Sequence, residues 1–365
     1  MAIDLHCSFP IYPKFGYKYN MSSLLLLSFS FGSFLYTTGC NGAKTDTDTG
    51  TETGETPVPP QWSIIESADT RGAWLRAHIP SDTPETVWMI GGQPEMGAIV
   101  TGNHTQGFTT LELPSGTPLL NWGDGTSDNL WVGGLGGTIL QWDGNAWHDH
   151  SLEIEEAIWG LFVHDDGSVV VVGGSSRWGG DHAVIYEWRN ELWTEWALPE
   201  EVTSLPNLFK VTHDGSHYWM VGSAGTVLYG ENTDIVALPT GITTDIITAI
   251  ANPQTGVELV GGRGTGIYLQ GKNGTLSDTT QLIAGINGIS TTISGDTSLV
   301  VGEMGYASFR QDSSWTEVTP VTTHILHASA THQLNGAQVW YGVGGNLATA
   351  DSTFEGSILT MEWSP

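Results

Sequence analysis

The chain has 365 residues, with 11 basic against 39 acidic side chains and a formal net charge of −28. A surface this acidic repels nucleic acid and anionic lipid headgroups, which argues against both as direct partners. The only cysteines are Cys7 and Cys40. A mature chain that begins at Cys40 therefore has no internal disulfide.

Residues 1–39 predict a secretory signal peptide. An apolar segment that begins at Leu24 is too short for a comfortable membrane span and ends in Thr37-Thr38-Gly39-Cys40. Lys14 and Lys18 would supply the basic region before it, although Met21 also remains open as the start. The alternative interpretation is a buried apolar strand with an incidental cysteine.

The Gly39-Cys40 pair resembles the bacterial lipoprotein signal, although Thr37 stands where that family usually has leucine. The resemblance implies that Cys40 is lipidated and becomes the first residue. It also implies that Asn41, where an aspartate would mark inner-membrane retention, favours the outer membrane. We therefore expect a lipid-anchored protein of the bacterial cell envelope, at the outer membrane or cell surface, that meets the membrane only through its anchor.

Residues 40–60 predict a disordered linker. The run NGAKTDTDTGTETGETPVPP is rich in Thr, Gly, Asp, Glu and Pro and has no apolar stretch to bury. Its DTDTG segment lacks the twelve-residue ligand pattern of a calcium loop. A solvated spacer is the better interpretation.

A repeat fills the remainder, residues 61–365. The stretch Asn129 to Trp147 reads as three short strands separated by a glycine-rich turn and an Asp-Gly hairpin turn. The glycine that closes the second strand of each unit recurs every 39 to 49 residues, at Gly91, Gly133, Gly173, Gly222, Gly261, Gly302 and Gly342. This period with four short strands per unit is typical of propeller blades. It predicts an all-β, seven-bladed propeller of four-stranded antiparallel blades.

Closure of the ring requires the last blade to combine the two chain ends. The strand-like run around Trp62 and the tail from Ser357 to Trp363 are both candidates. The sequence leaves open which of them completes the seventh blade.

Loops that depart from a repeat are the best candidates for binding, because they vary on a rigid frame. The longest insertion lies between the second and third strands of the third unit, in the run SSRWGGDH. We predict a ligand site on the face that carries this loop, where an aromatic ring can stack on a sugar or an apolar side chain and charged groups orient it. Its predicted residues are Arg177, Trp178, Asp181, His182, Glu155, Glu156 and Arg263. A solvent-exposed insertion without function is the alternative.

Catalytic motifs are missing from the sequence. There is no G-x-S-x-G, H-E-x-x-H or G-x-x-x-x-G-K pattern, so we predict no catalytic residue, no metal ligand set and no cofactor. The first hypothesis is a monomeric, non-catalytic binding or scaffold lipoprotein whose ligand is a protein or a glycan. The second is a carbohydrate-active enzyme, a glycoside hydrolase or a lyase, with acids from different blades beside an arginine at the channel mouth.

The units resemble those of photosystem II stability/assembly factor-like propellers and of BNR/sialidase-like repeat proteins. The matching runs are Val132 to Leu140, Val221 to Leu228 and the hairpin Trp142 to Trp147. The resemblance implies a seven-bladed fold and a scaffolding or binding role. The spacing of the sialidase Asp-box and the sialidase arginine triad are absent from this chain.

Overall fold

The computed structural model describes residues 60–231, 234–252, 256–262, 266–277, 288–312, 314–347 and 354–363. The chain divides into two units, Met1–Thr56 and Pro57–Pro365. The predicted signal peptide, the Cys40 anchor and all of the predicted linker except Pro60 lie outside the described residues. The fold below is that of the second unit.

Within the described residues, 28 strands form seven sheets of four antiparallel strands each, which confirms the predicted fold. The inner strands are β2 (Ala73–His78), β6 (Leu120–Thr126), β10 (Ala157–Val163), β14 (Leu208–His213), β18 (Ile246–Asn252), β22 (Gly288–Ser294) and β26 (Ile325–Leu334). The second strands are β3 (Val87–Gln93), β7 (Asn129–Gly134), β11 (Val169–Gly174), β15 (Tyr218–Gly222), β19 (Gly256–Gly261), β23 (Thr297–Gly302) and β27 (Ala337–Asn346).

The third strands are β4 (Met96–Asn103), β8 (Ile139–Trp142), β12 (Val184–Arg189), β16 (Val227–Gly230), β20 (Ile267–Lys272), β24 (Ala307–Gln311) and β28 (Glu355–Glu362). The outer strands are β5 (Gly107–Thr110), β9 (Trp147–Asp149), β13 (Leu192–Glu195), β17 (Val236–Ala237), β21 (Thr275–Leu276), β25 (Ser314–Glu317) and β1 (Ser63–Asp69). Each inner strand contacts the inner strand of the next blade, and β26 contacts β2. The seven sheets therefore close into a ring around a central channel.

The only helical segments among the described residues are 3₁₀ turns at Glu200–Val202, Ser223–Gly225 and Glu303–Gly305. No helix in this part of the chain has the length and apolar character needed to cross a membrane.

Both chain ends build the seventh blade, which answers the question that the sequence left open. Its strands follow the order β26, β27, β28 and β1, so the tail supplies the third strand and the N-terminal strand supplies the outer one. Ile64 pairs with Leu359, and Asp69 pairs with Gly356. Pairing of the two ends leaves no blade incomplete, which protects the sheet edges of the ring.

The core lies between neighbouring blades. Trp74 and Met89 of the first blade pack against Tyr341 and Ile358 of the seventh, for example, and all four are fully buried. Full burial of a large apolar side chain contributes about 1.5–3 kcal/mol. The interface between the fifth and sixth blades has the smallest apolar cluster that the described residues form. A cavity of about 190 Å³ with polar walls opens there, and Glu258 lies against it.

Every inner strand carries a β-bulge at the same level, near the end that follows the loop from the preceding blade. Bulges re-aim the neighbouring side chains and increase the local twist. The first residues to pair again after the bulge form one ring around the channel: Arg76, Trp122, Gly160, Lys210, Thr248, Ser290 and Ala328.

Candidate functional site

The longest loop of the third blade connects β11 to β12 and folds back on itself. The backbone N–H of Ser176 donates to the Gly179 carbonyl at 2.7 Å, and the backbone N–H of Trp178 donates to the Ser176 hydroxyl at 3.1 Å. Gly180 has a φ of +77°, and a Cβ at this position would lie 2.8 Å from the Cα of Glu156. A glycine is therefore required for the loop to rest against the strand entry at Glu156.

Glu156, Asp181 and His182 meet where the loop closes. The Nδ1 atom of His182 lies 3.0 Å from Oε1 of Glu156 and 2.8 Å from Oδ1 of Asp181. The backbone N–H of Asp181 also donates to Oε1 of Glu156, at 3.4 Å. The Glu156 side chain is buried, whereas Asp181 and His182 are exposed. One buried carboxylate thus holds both residues at the end of the loop.

The electrostatics of this group favour a charged imidazole. The hydrogen bond with Asp181 is the main cause that raises the pKa of His182, and the charges of Glu156 and Asp181 add to it. The ligand atoms of these three side chains lie within 4.8 Å of one another, so the group could hold a metal ion. Imidazole and carboxylate are ligands that Zn²⁺ and other divalent transition metals accept.

The sequence placed these three residues in one predicted ligand site, but it did not indicate a metal ligand set. Glu156 precedes Asp181 by 25 positions, and only the topology of the blade brings the two loops together. The adjacent pair Asp181-His182 was the one available signal.

Arg177 and Trp178 form the tip of the same loop. The guanidinium carbon of Arg177 lies 4.5 Å from the centroid of the Trp178 ring, a cation–π contact. Trp178 is 38% exposed, whereas eight of the 16 tryptophans are buried and the other seven are partly buried. The tip therefore presents an aromatic ring and a positive charge to solvent.

Six of the seven predicted site residues belong to this assembly. Glu155 packs against the loop through its backbone. Its carbonyl oxygen lies only 3.0 Å from the position that a Cβ on Gly179 would occupy. Its side chain is exposed. Arg263, the seventh predicted residue, lies outside the described residues.

The same face of the ring exposes further apolar side chains. Met96 directly follows the turn between the second and third strands of the first blade, and Met304 lies in the same turn of the sixth blade. They are 50% and 61% exposed. Methionine adapts its shape to irregular surfaces and is common where proteins bind. These turns lie on the face that carries Trp178.

Sequence reasoning missed a group of residues inside the channel. Arg76 of the first blade and Lys210 of the fourth both lie over the ring of Trp122, at 4.0 Å and 4.2 Å from its centroid. Their spacing along the chain gave no sign of this meeting, because it depends on two blades that are not neighbours.

No known protein family matches this sequence, and no curated protein matches it. Solved structures resemble its fold. Virginiamycin B lyase from Staphylococcus aureus matches in a catalytically inactive form with quinupristin, with a TM-score of 0.61 and 11% identity over 84% of this chain and 100% of that one. Its selenomethionine-substituted form gives a TM-score of 0.65 and 12% identity, over 83% of this chain and 100% of that one.

The WD40 propeller domain of Doa1 gives a TM-score of 0.60 and 9% identity, over 84% of this chain and 97% of that domain. At these identities the likeness shows the propeller fold alone. The resemblance to photosystem II assembly factor-like and BNR/sialidase-like repeats stays a prediction.

Proposed function

We propose that this chain is a non-catalytic binding protein and that its ligand docks on the long loop of the third blade. The observation that carries the proposal is the exposed Trp178 ring beside a fixed group of hydrogen-bonding side chains, Glu156, Asp181 and His182. Exposed aromatic rings beside polar groups are typical of binding surfaces.

A glycan is the ligand class that this chemistry favours. The apolar face of a sugar ring stacks on an aromatic side chain, and its hydroxyl groups donate to carboxylates and accept from Arg or His. Arg177 and Asp181 can supply such charge-assisted bonds on either side of Trp178. A protein ligand would use the same aromatic ring together with the exposed Met96 and Met304.

A glycan array probed with the full chain tests the ligand class. Binding of one or more glycans, with no hydrolysis or elimination of the bound sugars, is the expected result. Retention of a protein partner by a chain that binds no glycan would replace the glycan with a protein ligand.

A catalytic role is the second candidate, and the group of Glu156, Asp181 and His182 favours it because these residues could hold a metal. One of the proteins that share the fold is a lyase. A survey of glycosidase and lyase substrates with and without a divalent metal distinguishes the two. Turnover that requires a metal and is lost in Glu156→Gln would establish an enzyme, whereas binding without turnover supports the first proposal.

We also propose that the chain is exported and anchored through lipid on Cys40, at the outer membrane or cell surface. The support is the apolar segment that ends in Gly39-Cys40. Labelled palmitate should enter the parent in a bacterial host and should not enter the Cys40→Ala variant. Equal labelling of both proteins would refute the anchor.

A further inference from the structure

The channel holds two cations that meet over one aromatic ring. Arg76, Trp122 and Lys210 occupy equivalent positions after the bulge in β2, β6 and β14. The first and fourth blades are not neighbours, yet the two basic side chains reach the same Trp122 ring of the second blade. Gly160 of the third blade leaves the room for this approach, since a Cβ there would lie 2.8 Å from the Cα of Lys210.

Neither cation has an acidic partner in the part of the chain that the structure describes. Lys210 Nζ donates to the Trp159 carbonyl at 2.6 Å, and Arg76 Nε donates to the Gly123 carbonyl at 3.2 Å. The acid of this region, Asp124, accepts from the backbone N–H of Val163 and lies 3.7 Å from His78. A chain with 39 acidic side chains thus places two of its 11 basic ones in the channel without an ion pair.

Two positive charges in a narrow, partly dehydrated space repel each other. Burial and the charge of Arg76 lower the pKa of Lys210 to about 7. Burial lowers the pKa of Arg76 to about 10, against the charge of Asp124, which raises it. Both side chains nonetheless keep part of their surface accessible. An anion within reach of both side chains would relieve the repulsion and would form charge-assisted hydrogen bonds with both.

Apolar side chains stand at the channel mouth above the cations. The extra residues of the bulges in β2, β10 and β14 are Leu75, Trp159 and Phe209. The rings of Trp159 and Phe209 meet edge to face, 6.3 Å apart, and Leu75 packs in a cluster with Trp159. A ligand that reaches the cations from this side passes an aromatic and aliphatic rim.

We propose that the channel binds an organic carboxylate with an apolar body. Its carboxylate accepts hydrogen bonds from the guanidinium of Arg76 and the ammonium of Lys210, and its body rests against Trp159 and Phe209. This site is separate from the loop of the third blade and does not depend on the function proposed for that loop.

Calorimetry with the full chain and four probes, benzoate, octanoate, acetate and inorganic phosphate, tests the site. Benzoate or octanoate should bind at least about tenfold more tightly than acetate, because only the former fill the apolar mouth. Phosphate binding that exceeds every carboxylate would overturn the ligand class. The absence of heat with all four probes at millimolar concentration would overturn the site.

Variants assign the binding to the two cations. Lys210→Met and Arg76→Met should each weaken binding of the better carboxylate by about ten- to a hundredfold, the usual value of a hydrogen bond to a charged group. Arg189→Met removes a surface cation that bonds Asp166 and Glu187 and serves as the matched control. Unchanged affinity in Lys210→Met would contradict the proposal, even if Arg76→Met does not fold.

The pH dependence supplies an independent measurement. Binding should weaken from about pH 6 to about pH 9 as Lys210 loses its proton, and Lys210→Arg should remove most of that dependence. The other titratable groups nearby are Arg76, His78 and Asp124. Strands β10 and β18 carry none, whereas His213 of β14 and Tyr218 of β15 both pack against His164. A parent and a Lys210→Arg variant with the same pH profile would exclude Lys210 as the group that causes the pH dependence.

The Arg177→Ala, Trp178→Ala variant should bind these carboxylates as the parent does, so that failure of either site is seen separately.

Discussion

The imidazole Nδ1 of His182 lies 3.0 Å from Oε1 of Glu156 and joins the two loops of the third blade at one point. Glu156 is buried and also accepts from the backbone N–H of Asp181. We expect Glu156→Ala to destabilise the protein by about 1–3 kcal/mol, because it removes a charged acceptor that holds the Asp181 backbone N–H and the His182 imidazole. His182→Ala, at an exposed position, should cost less than 1 kcal/mol or so. Thermal melts should show a larger loss of melting temperature for Glu156→Ala than for His182→Ala. The reverse order would contradict the role of Glu156 in holding the loop.

Closure of the ring supplies a second prediction. The Arg71 guanidinium donates to both carboxylate oxygens of buried Asp69 of β1, at 2.7 to 3.0 Å, and to Glu66 at 2.9 Å. Arg71→Ala leaves these two acids side by side without their counter-charge. It should cost about 1–3 kcal/mol and loosen the outer strand of the seventh blade.

Arg189→Ala is the control for this closure, because Arg189 also bonds two acids but on an exposed surface. Exposed ion pairs contribute about 0–1 kcal/mol. Equal losses of melting temperature in Arg71→Ala and Arg189→Ala would mean that Arg71 forms only an ordinary surface ion pair.

The interface of the fifth and sixth blades should respond to pH through Glu258. Burial raises the pKa of this carboxyl, even though the Ser298 hydroxyl donates to it at 2.8 Å. A raised native pKa means that the folded state holds the proton longer than the unfolded chain, so stability falls as pH rises from the ordinary glutamate range through the native pKa. Glu258→Gln should remove this fall and melt higher than the parent at neutral pH. A variant that melts lower there would show that the charged form is the stabilising one.

Lys210 gives a pH dependence of the opposite sign. Its pKa of about 7 in the folded protein lies below the ordinary value of 10.5, so the unfolded chain holds the proton over that interval. The stability of the parent should therefore rise between those two pH values. Lys210→Met should be more stable than the parent at about pH 6, and the difference should shrink toward about pH 10. A constant difference across this range would exclude the lowered pKa.

The seven blades were predictable because tight turns restrict which residues they accept. Glycine recurs where the second strand of each blade ends, and Asp-Gly pairs mark hairpins. The exact glycine that occupies the repeat position in each second strand was less certain. The glycine that pairs with the residue just before the bulge of the inner strand is Gly134 in the second blade and Gly344 in the seventh, not Gly133 and Gly342. Runs with several glycines offer more than one position that suits the same pattern.

The grouping of Glu156 with Asp181 and His182 followed from local topology, since loops of one blade that share a face lie close together. The bulges and the channel cations had no such signal. A bulge needs no special residue, and the extra positions hold side chains as different as Leu75, Asn121 and Trp159. The approach of Arg76 and Lys210 to one Trp122 ring involves three blades, and no single repeat encodes it.

The tip of the third blade's loop, with Arg177 and Trp178, is the proposed binding surface. Its most direct test compares three proteins on one glycan array: the parent, the Arg177→Ala, Trp178→Ala variant, and Leu192→Ala, which removes an exposed apolar side chain from the same blade. Loss of an aromatic anchor costs about 2 kcal/mol or more in binding. We expect the double variant to lose the glycans that the parent binds while it keeps the parent's melting temperature, and we expect Leu192→Ala to keep those glycans. A double variant that binds the same glycans as strongly as the parent would contradict it.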